Sequence, residues 1–438
     1  MMRKFLPFVS ALFLTAVLFG CGSVGDPEST RVEAPTESVS DTSGGISDGT
    51  SSTGTSSADS GDDSSGSADT GDGSSGSADT GDNSASDTDS DTAPDTSEPE
   101  KTPESLRAGE ILSGMTDDEK IAQLIFTRVP SNGQTAVDLM KKYSFGGYVF
   151  FASDFQNRDA DSFREYADSL KEAAKITPLL AADEEGGTVT RISRFTQYRA
   201  SKFLSPRELM AGGEELVRSD TAEKCALLGK IGLNMNLAPV ADISTDKNDF
   251  IYYRSAGDTD AAVTYVRAYV ETSTENGIGA SLKHFPGYGN NADTHTGIAV
   301  DERPIETFRE EDFLPFQAGI DAGACVVMVS HNTVKCMDPD RPASLSAKVH
   351  EILRDELSFD GVITTDDLAM EAITDAYGAE EAAVLALEAG NDLICCSDPE
   401  VKFTALKNAL SSGRITMERI EESVARILIY KLTLGIIG

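Results

Sequence analysis

Beyond Pro103 the chain alternates short, almost unbroken apolar runs with longer stretches whose apolar residues recur every three to four positions. The runs Gln123 to Thr127, Gly147 to Phe151, Pro178 to Ala182, Met235 to Val240, Ala280 to Lys283, Cys325 to Ser330, Val362 to Thr365 and Asp392 to Cys396 show little period-two alternation. Strands covered on both faces have this pattern. The stretches Ala160 to Ala174, Asp260 to Asn276, Glu306 to Ala322, Ser346 to Glu356 and Ala379 to Ala389 have the period of amphipathic helices, and a terminal helix is predicted around Ile415 to Leu434. Regular alternation of strand and helix predicts a parallel sheet, and about eight strands favour closure into a (β/α)8 barrel over an open doubly wound sheet. No G-x-G-x-x-G follows any run, so a dinucleotide fold lacks its signature.

The placement of polar residues points the same way. Asp183, Asp242, Lys283 with His284, His331 and Asp366 each stand at or just beyond the end of a predicted strand. In a barrel those ends converge on one mouth, where catalytic groups gather.

The ends of the chain change the picture of where this domain works. Arg3 and Lys4 precede an apolar run from Phe5 to Phe19, too short to span a bilayer and of the length of an export signal. Leu18-Phe19-Gly20-Cys21 resembles a bacterial lipobox, which implies cleavage before Cys21 and attachment of a lipid there. Residues 22–103 are rich in Ser, Thr, Asp and Gly, and the unit Gly61 to Thr70 recurs at Gly71 to Thr80. Such a segment buries too little surface to offset its ordering entropy and is expected to be a disordered tether. Between Gly22 and Glu100 roughly nineteen acids stand against Arg31, about half of the net charge of −36. The charge therefore says little about the substrate, but no basic stripe exists to neutralise phosphates, which excludes nucleic acid as a partner. The catalytic domain is expected over 104–438. Its cysteines, Cys225, Cys325, Cys336, Cys395 and Cys396, are odd in number, without metal-type spacing and mostly in apolar runs. Buried structural thiols, at least one of them free, are expected.

The chemistry concentrates in Lys283-His284-Phe285-Pro286-Gly287-Tyr288-Gly289, followed by Asp293-Thr294-His295. A strand delivers a cation and an imidazole to the mouth, and a glycine-punctuated loop then presents a carboxylate two residues from a second imidazole. Positions i and i+2 of an extended loop point the same way, so Asp293 can orient and polarise His295. This stretch resembles the hallmark of glycoside hydrolase family 3, and in particular of its β-N-acetylglucosaminidases. Asp183-Glu184-Glu185-Gly186-Gly187-Thr188-Val189-Thr190-Arg191, Leu237 to Asp242, Arg254-Ser255, Gly361 to Met370 and Ala389-Gly390-Asn391-Asp392 match further blocks in the family order. Tyr288, Asn290, Ala256 and Thr188 depart from the usual His, Asp, Phe and Arg.

The resemblance implies a retaining glycosidase with Asp366 as nucleophile, His295 as acid/base and Asp293 as its partner. It assigns Asp183, Arg191, Arg254, Lys283 and His284 to holding an N-acetylated sugar. Asp367 is expected to support the site or cap the next helix, Glu184 and Glu185 to be structural with Glu185 supporting the turn, and His350 to be ordinary surface. Family β-glucosidases draw their acid/base from a domain after the barrel, whereas this sequence stops at Gly438 just after its terminal helix. The proton is therefore expected from the barrel's own loops, which favours N-acetylglucosaminides over the rival glucosides and xylosides. A degenerate sugar-binding lipoprotein is the reading from another class, and Asp293, His295 and Asp366 speak against it. The implied protein needs no cofactor and no metal. It is expected to be a monomer, lipid-anchored on the outer face of a bacterial membrane and acting on peptidoglycan fragments.

Overall fold

The computed structural model describes residues 102–291 and 299–438. The expected leader with Cys21, the tether up to residue 101 and the Asp293–His295 pair lie outside the described residues.

Eight parallel strands form the barrel: β1 (Ile125–Arg128), β2 (Gly147–Phe150), β3 (Leu179–Ala182), β4 (Met235–Asn236), β5 (Gly279–Phe285), β6 (Val326–Val329), β7 (Val362–Thr365) and β8 (Ile394–Cys396). They pair in the order β8-β1-β2-β3-β4-β5-β6-β7. The bridge between Thr364 and Leu393 closes the ring between β7 and β8. Every strand residue is buried except Arg128, which emerges at the end of β1. Burial on both faces is why these segments read as apolar runs without alternation. β4 is shorter than its run suggests. Pro239 has no N–H for the ladder, and Val240 meets Lys283 only through an isolated bridge.

The covering helices start at local signals. Thr116 and Glu119, and Ser205 and Glu208, form reciprocal capping boxes at Asp117–Gln123 and Pro206–Ala211. The helix expected over Glu306 to Ala322 is interrupted. It runs as Ile305–Thr307, a wide turn at Phe308–Asp312, and Phe313–Asp321, because Pro315 has no N–H to offer the carbonyl of Glu311.

Two expectations change. His350 is buried rather than on the surface, with Nδ1 2.8 Å from the Ser346 carbonyl. Its helix, Ala347–Glu351, turns this ring against Gly390, and burial lowers the imidazole pKa. Among the cysteines Cys225, Cys395 and Cys396 are buried, but Cys336 is exposed; all five are free thiols.

Two buried titratable side chains lie on the barrel's closing side. Asp392, just before β8, accepts from Arg354 Nη2 and Ser423 Oγ at 2.7 Å each, from the Ile363 N–H at 3.0 Å and from Arg426 Nη1 at 3.2 Å. Lys431, in the helix Met417–Thr433, is buried, and its Nζ donates to Gln123 Oε1 at 2.8 Å. Burial pushes its pKa down to about 7, whereas in the unfolded chain it titrates near ~10.4. Between those values the unfolded state binds the extra proton, so stability rises with pH across that window. Below pH 7 the cost of the buried ammonium is present in full. Lys431→Met removes it, and urea denaturation should show the variant's advantage over wild type shrinking by about 4 kcal/mol between pH 6 and pH 10. A pH-independent difference would mean that Lys431 keeps its proton in the folded state.

Candidate active site

The C-terminal ends of the strands surround a cavity of about 270 Å³ whose walls include Asp183, Glu185, Arg191, Arg254, Lys283, His284 and Asp366. Its volume lies below the roughly 300–1,000 Å³ of sites for drug-sized ligands, and suits one sugar ring rather than a chain.

The wall toward β3, β4 and β5 is a continuous relay of charges. Asp183 follows β3, and its Oδ1 accepts from Lys283 Nζ at 2.7 Å while Oδ2 accepts from Arg191 Nη2 at 3.3 Å. Lys283, on β5, also meets Glu185 Oε1 at 2.7 Å. Arg254 grips Glu185 with both prongs of its guanidinium, Nε to Oε2 at 2.9 Å and Nη2 to Oε1 at 2.8 Å. The same Nη2 lies 3.1 Å from His284 Nε2. Because a guanidinium only donates, His284 accepts at Nε2 and therefore donates from Nδ1, which is 2.7 Å from Asp242 Oδ2. Asp242 also accepts the backbone N–H groups of His284 at 3.0 Å and Tyr288 at 2.8 Å, fixing the start of the loop that follows β5.

Burial alone would raise the carboxylate pKa values here, but neighbouring cations outweigh it. The Lys283 and Arg191 charges hold Asp183 below its ordinary range, and Arg254 with Lys283 holds Glu185 well below. Burial disfavours the Lys283 ammonium, yet Asp183 and Glu185 raise its pKa. The wall thus presents fixed donors and acceptors, a surface matched to sugar hydroxyls.

Asp366 stands across the cavity, immediately after β7. Its N–H donates to the Val329 carbonyl at 3.0 Å, and its Oδ1 accepts the Asp367 N–H at 2.8 Å. Asp367 does not cap the next helix, which begins at Glu371 after Met370. Its Oδ1 accepts from the Ala369 N–H at 2.9 Å and its Oδ2 from Ser397 Oγ at 3.2 Å. Burial and the Asp366 charge raise the Asp367 pKa. His331 braces this loop from below, with Nε2 3.0 Å from the Asp367 carbonyl and Nδ1 2.7 Å from Ser344 Oγ.

All five expected sugar-holding residues and Asp366 therefore border one cavity, while Asp293 and His295 lie outside the described residues. Both glutamates were expected to be structural; Glu184 is, and Glu185 is not. Glu184 supports the turn, accepting from the N–H groups of Arg191 at 2.9 Å and Ile192 at 2.7 Å and from Ser193 Oγ. Glu185 faces the cavity. Period-two alternation in the extended Asp183-Glu184-Glu185 already places Asp183 and Glu185 on one face.

One of the sequence departures sits next to this wall, and another is packed away from it. Tyr288 is buried, its ring edge-on to His284 at 5.1 Å and to Phe250 at 4.9 Å. Ala256 is buried in the apolar cluster outside the barrel. Among the described residues no three His, Cys, Asp or Glu side chains converge as a metal site.

Comparisons with known proteins agree with the barrel fold. The Glycosyl hydrolase family 3 N terminal domain matches residues 116–429. A Beta-hexosaminidase of Xylella fastidiosa (strain M12) is 33% identical over 281 residues, covering 62% of this chain and 81% of the relative. The solved glycoside hydrolase family 3 beta-N-acetylglucosaminidase of Paenibacillus sp. str. FPU-7 superposes with a TM-score of 0.69 at 30% identity, over 74% of this chain and 64% of that one. The Beta-N-acetylhexosaminidase of Beutenbergia cavernae DSM 12333 gives a TM-score of 0.65 at 26% identity, over 72% of this chain and 98% of the other.

The two glutamates can be told apart by experiment. Glu185→Gln should lower kcat/KM on an aryl β-N-acetylglucosaminide by roughly 100-fold, because Lys283 and Arg254 lose the charge that positions them. Glu184→Gln should act mainly on stability, with a loss of about 1–3 kcal/mol in urea denaturation. Equal kinetic losses would return both residues to a common supporting part.

Proposed function

We propose that this chain, which belongs to glycosyl hydrolase family 3, releases terminal β-linked N-acetylglucosamine from the non-reducing end of its substrate by a retaining mechanism. It is a glycosidase by its family and its relatives. The observation that carries the finer reading is the single-ring cavity, with a charged hydroxyl-binding wall on one side and the Asp366 carboxylate on the other.

In this reading Asp366 attacks the anomeric carbon from below the ring while His295 protonates the departing oxygen, leaving a covalent glycosyl enzyme. His295, now neutral, takes a proton from the incoming water, whose oxygen attacks the same carbon and frees Asp366. Asp293 enters from its sequence motif as the carboxylate that orients the imidazole. The wall residues Asp183, Arg191, Arg254, Lys283 and His284 hold the hydroxyls and the acetamido-bearing ring. Glu185 locks two of those cations in place before substrate arrives, so little reorganisation accompanies binding. The lipobox at Cys21 and the long acidic tether support an enzyme anchored on the outer membrane face and reaching peptidoglycan fragments.

Asp366→Ala should lower kcat by about 10⁴-fold or more, and a fluorinated glycosyl inactivator should label Asp366 in the wild type. Labelling at Asp367 would overturn the assignment. His295→Ala should slow glycosylation by roughly 10²–10⁴-fold for a poor leaving group and far less for dinitrophenolate, which departs without a proton. Equal losses would mean that another residue supplies the proton. Deleting Gly22 to Glu100 should leave turnover of a soluble aryl glycoside unchanged and reduce release from intact cell walls.

A further inference from the structure

Segment 292–298, with Asp293 and His295, lies outside the described residues, but both of its flanks are described. The upstream flank runs from Pro286 to Asn291 and turns at Gly287 and Gly289, whose φ values of 117° and 54° favour glycine. Space demands glycine there as well: a Cβ on Gly287 would collide with the Asp312 carboxylate, and one on Gly289 with the Arg303 guanidinium. The downstream flank enters at Val300–Asp301, which pairs with Thr333–Val334. The backbone that leads into the segment thus lies directly on side chains that follow it.

Those side chains form one cluster. Arg303 donates from Nη2 to Asp301 Oδ2 at 2.9 Å and from Nη1 to Asp312 Oδ2 at 2.9 Å, and its guanidinium lies 4.3 Å from the Phe308 ring centre. Asp301 and Asp312 are both buried. The remaining reach of Asp301 crosses the segment: its Oδ2 accepts from Asn291 Nδ2 at 2.6 Å, and the same amide donates to the Tyr288 carbonyl at 2.8 Å. The two flanks are therefore bonded to each other through Asn291 and Asp301, with Arg303 holding Asp301 in place. None of Asn291, Asp301, Arg303 and Asp312 lines the ring cavity. Apolar side chains of like volume often serve stability as well as a buried ion pair does, so what such a cluster adds is a fixed geometry.

We propose that Arg303 and Asn291 are positioning residues for proton transfer: by joining the flanks of segment 292–298 they fix where His295 is presented to the departing oxygen, while leaving the ring site intact. A chain held at both ends samples fewer arrangements, and a proton donor misplaced by an ångström loses much of its effect. The inference rests on the reading of His295 as acid/base.

The test measures kcat/KM of the full chain on aryl β-N-acetylglucosaminides whose leaving groups run from dinitrophenol, which needs no proton, to unsubstituted phenol, which does. Arg303→Met keeps the contact with Phe308 and should lose roughly 100-fold on the phenyl substrate but less than about threefold on the dinitrophenyl one. Arg303→Lys should recover part of that loss. Asn291→Ala removes the bond between the flanks and leaves both Arg303 ion pairs in place; it should show the same selective loss at roughly tenfold. If Arg303→Met does not fold, Asn291→Ala decides alone. Equal losses on both substrates, or none, would overturn the positioning assignment. His295→Ala on the same series separates the two readings. If it shows no dependence on the leaving group, the acid/base reading falls and this inference with it; if it does and the Asn291 and Arg303 variants do not, only the positioning assignment falls.

Discussion

Lys283 carries its ammonium to a place sealed from water, and it is tolerable there because Asp183 and Glu185 each meet it at 2.7 Å. Those contacts bind the segment after β3 to β5, and the rest of the wall follows. Glu185, fixed by Lys283, offers both oxygens to Arg254. Arg254 settles against His284 and decides which nitrogen of that ring donates. Asp242 accepts that hydrogen bond and also holds the first turn of the loop after β5. Cations and carboxylates alternate along the relay, so each desolvated charge has a partner of the other sign. The order of side chains lining the cavity is thus a consequence of keeping one buried ammonium solvated by protein rather than by water.

The barrel was legible because burial on both faces writes itself into the sequence as unbroken apolar runs, and because the polar residues that end those runs have no other reason to recur. Asp183, Lys283 and Asp366 were visible for that reason. What local pattern could not supply is which neighbour a side chain meets. Alternation past β3 puts Glu185 on the face of Asp183, but that Glu184 folds back onto the N–H groups of Arg191 and Ile192 depends on the return of the chain eight residues later. His350 reads as a polar residue on an amphipathic helix; its burial comes from the turn at Gly390, forty residues away in sequence.

The shape of the wall also bears on what the first cavity can select. Its charges stand in a closed balance, so it offers oriented hydrogen bonds and not net attraction.

The pairing of β1 with β8 brings the two ends of the described domain together. Phe126 lies beside Cys395, Lys120 Nζ is 2.6 Å from Glu421, Lys431 reaches back to Gln123, and the helix Met417–Thr433 packs on the helix Pro103–Ser113. During synthesis the first strand is made long before its partner, and its open edge has no mate until nearly the whole domain has been translated. Assembly is therefore completed late and by the whole chain at once, so the growing polypeptide depends on other means of keeping that edge from pairing elsewhere. The same adjacency makes the domain a ring in connectivity as well as in shape: joining the old ends and cutting at an exposed loop on the face away from the mouth would preserve every strand neighbour.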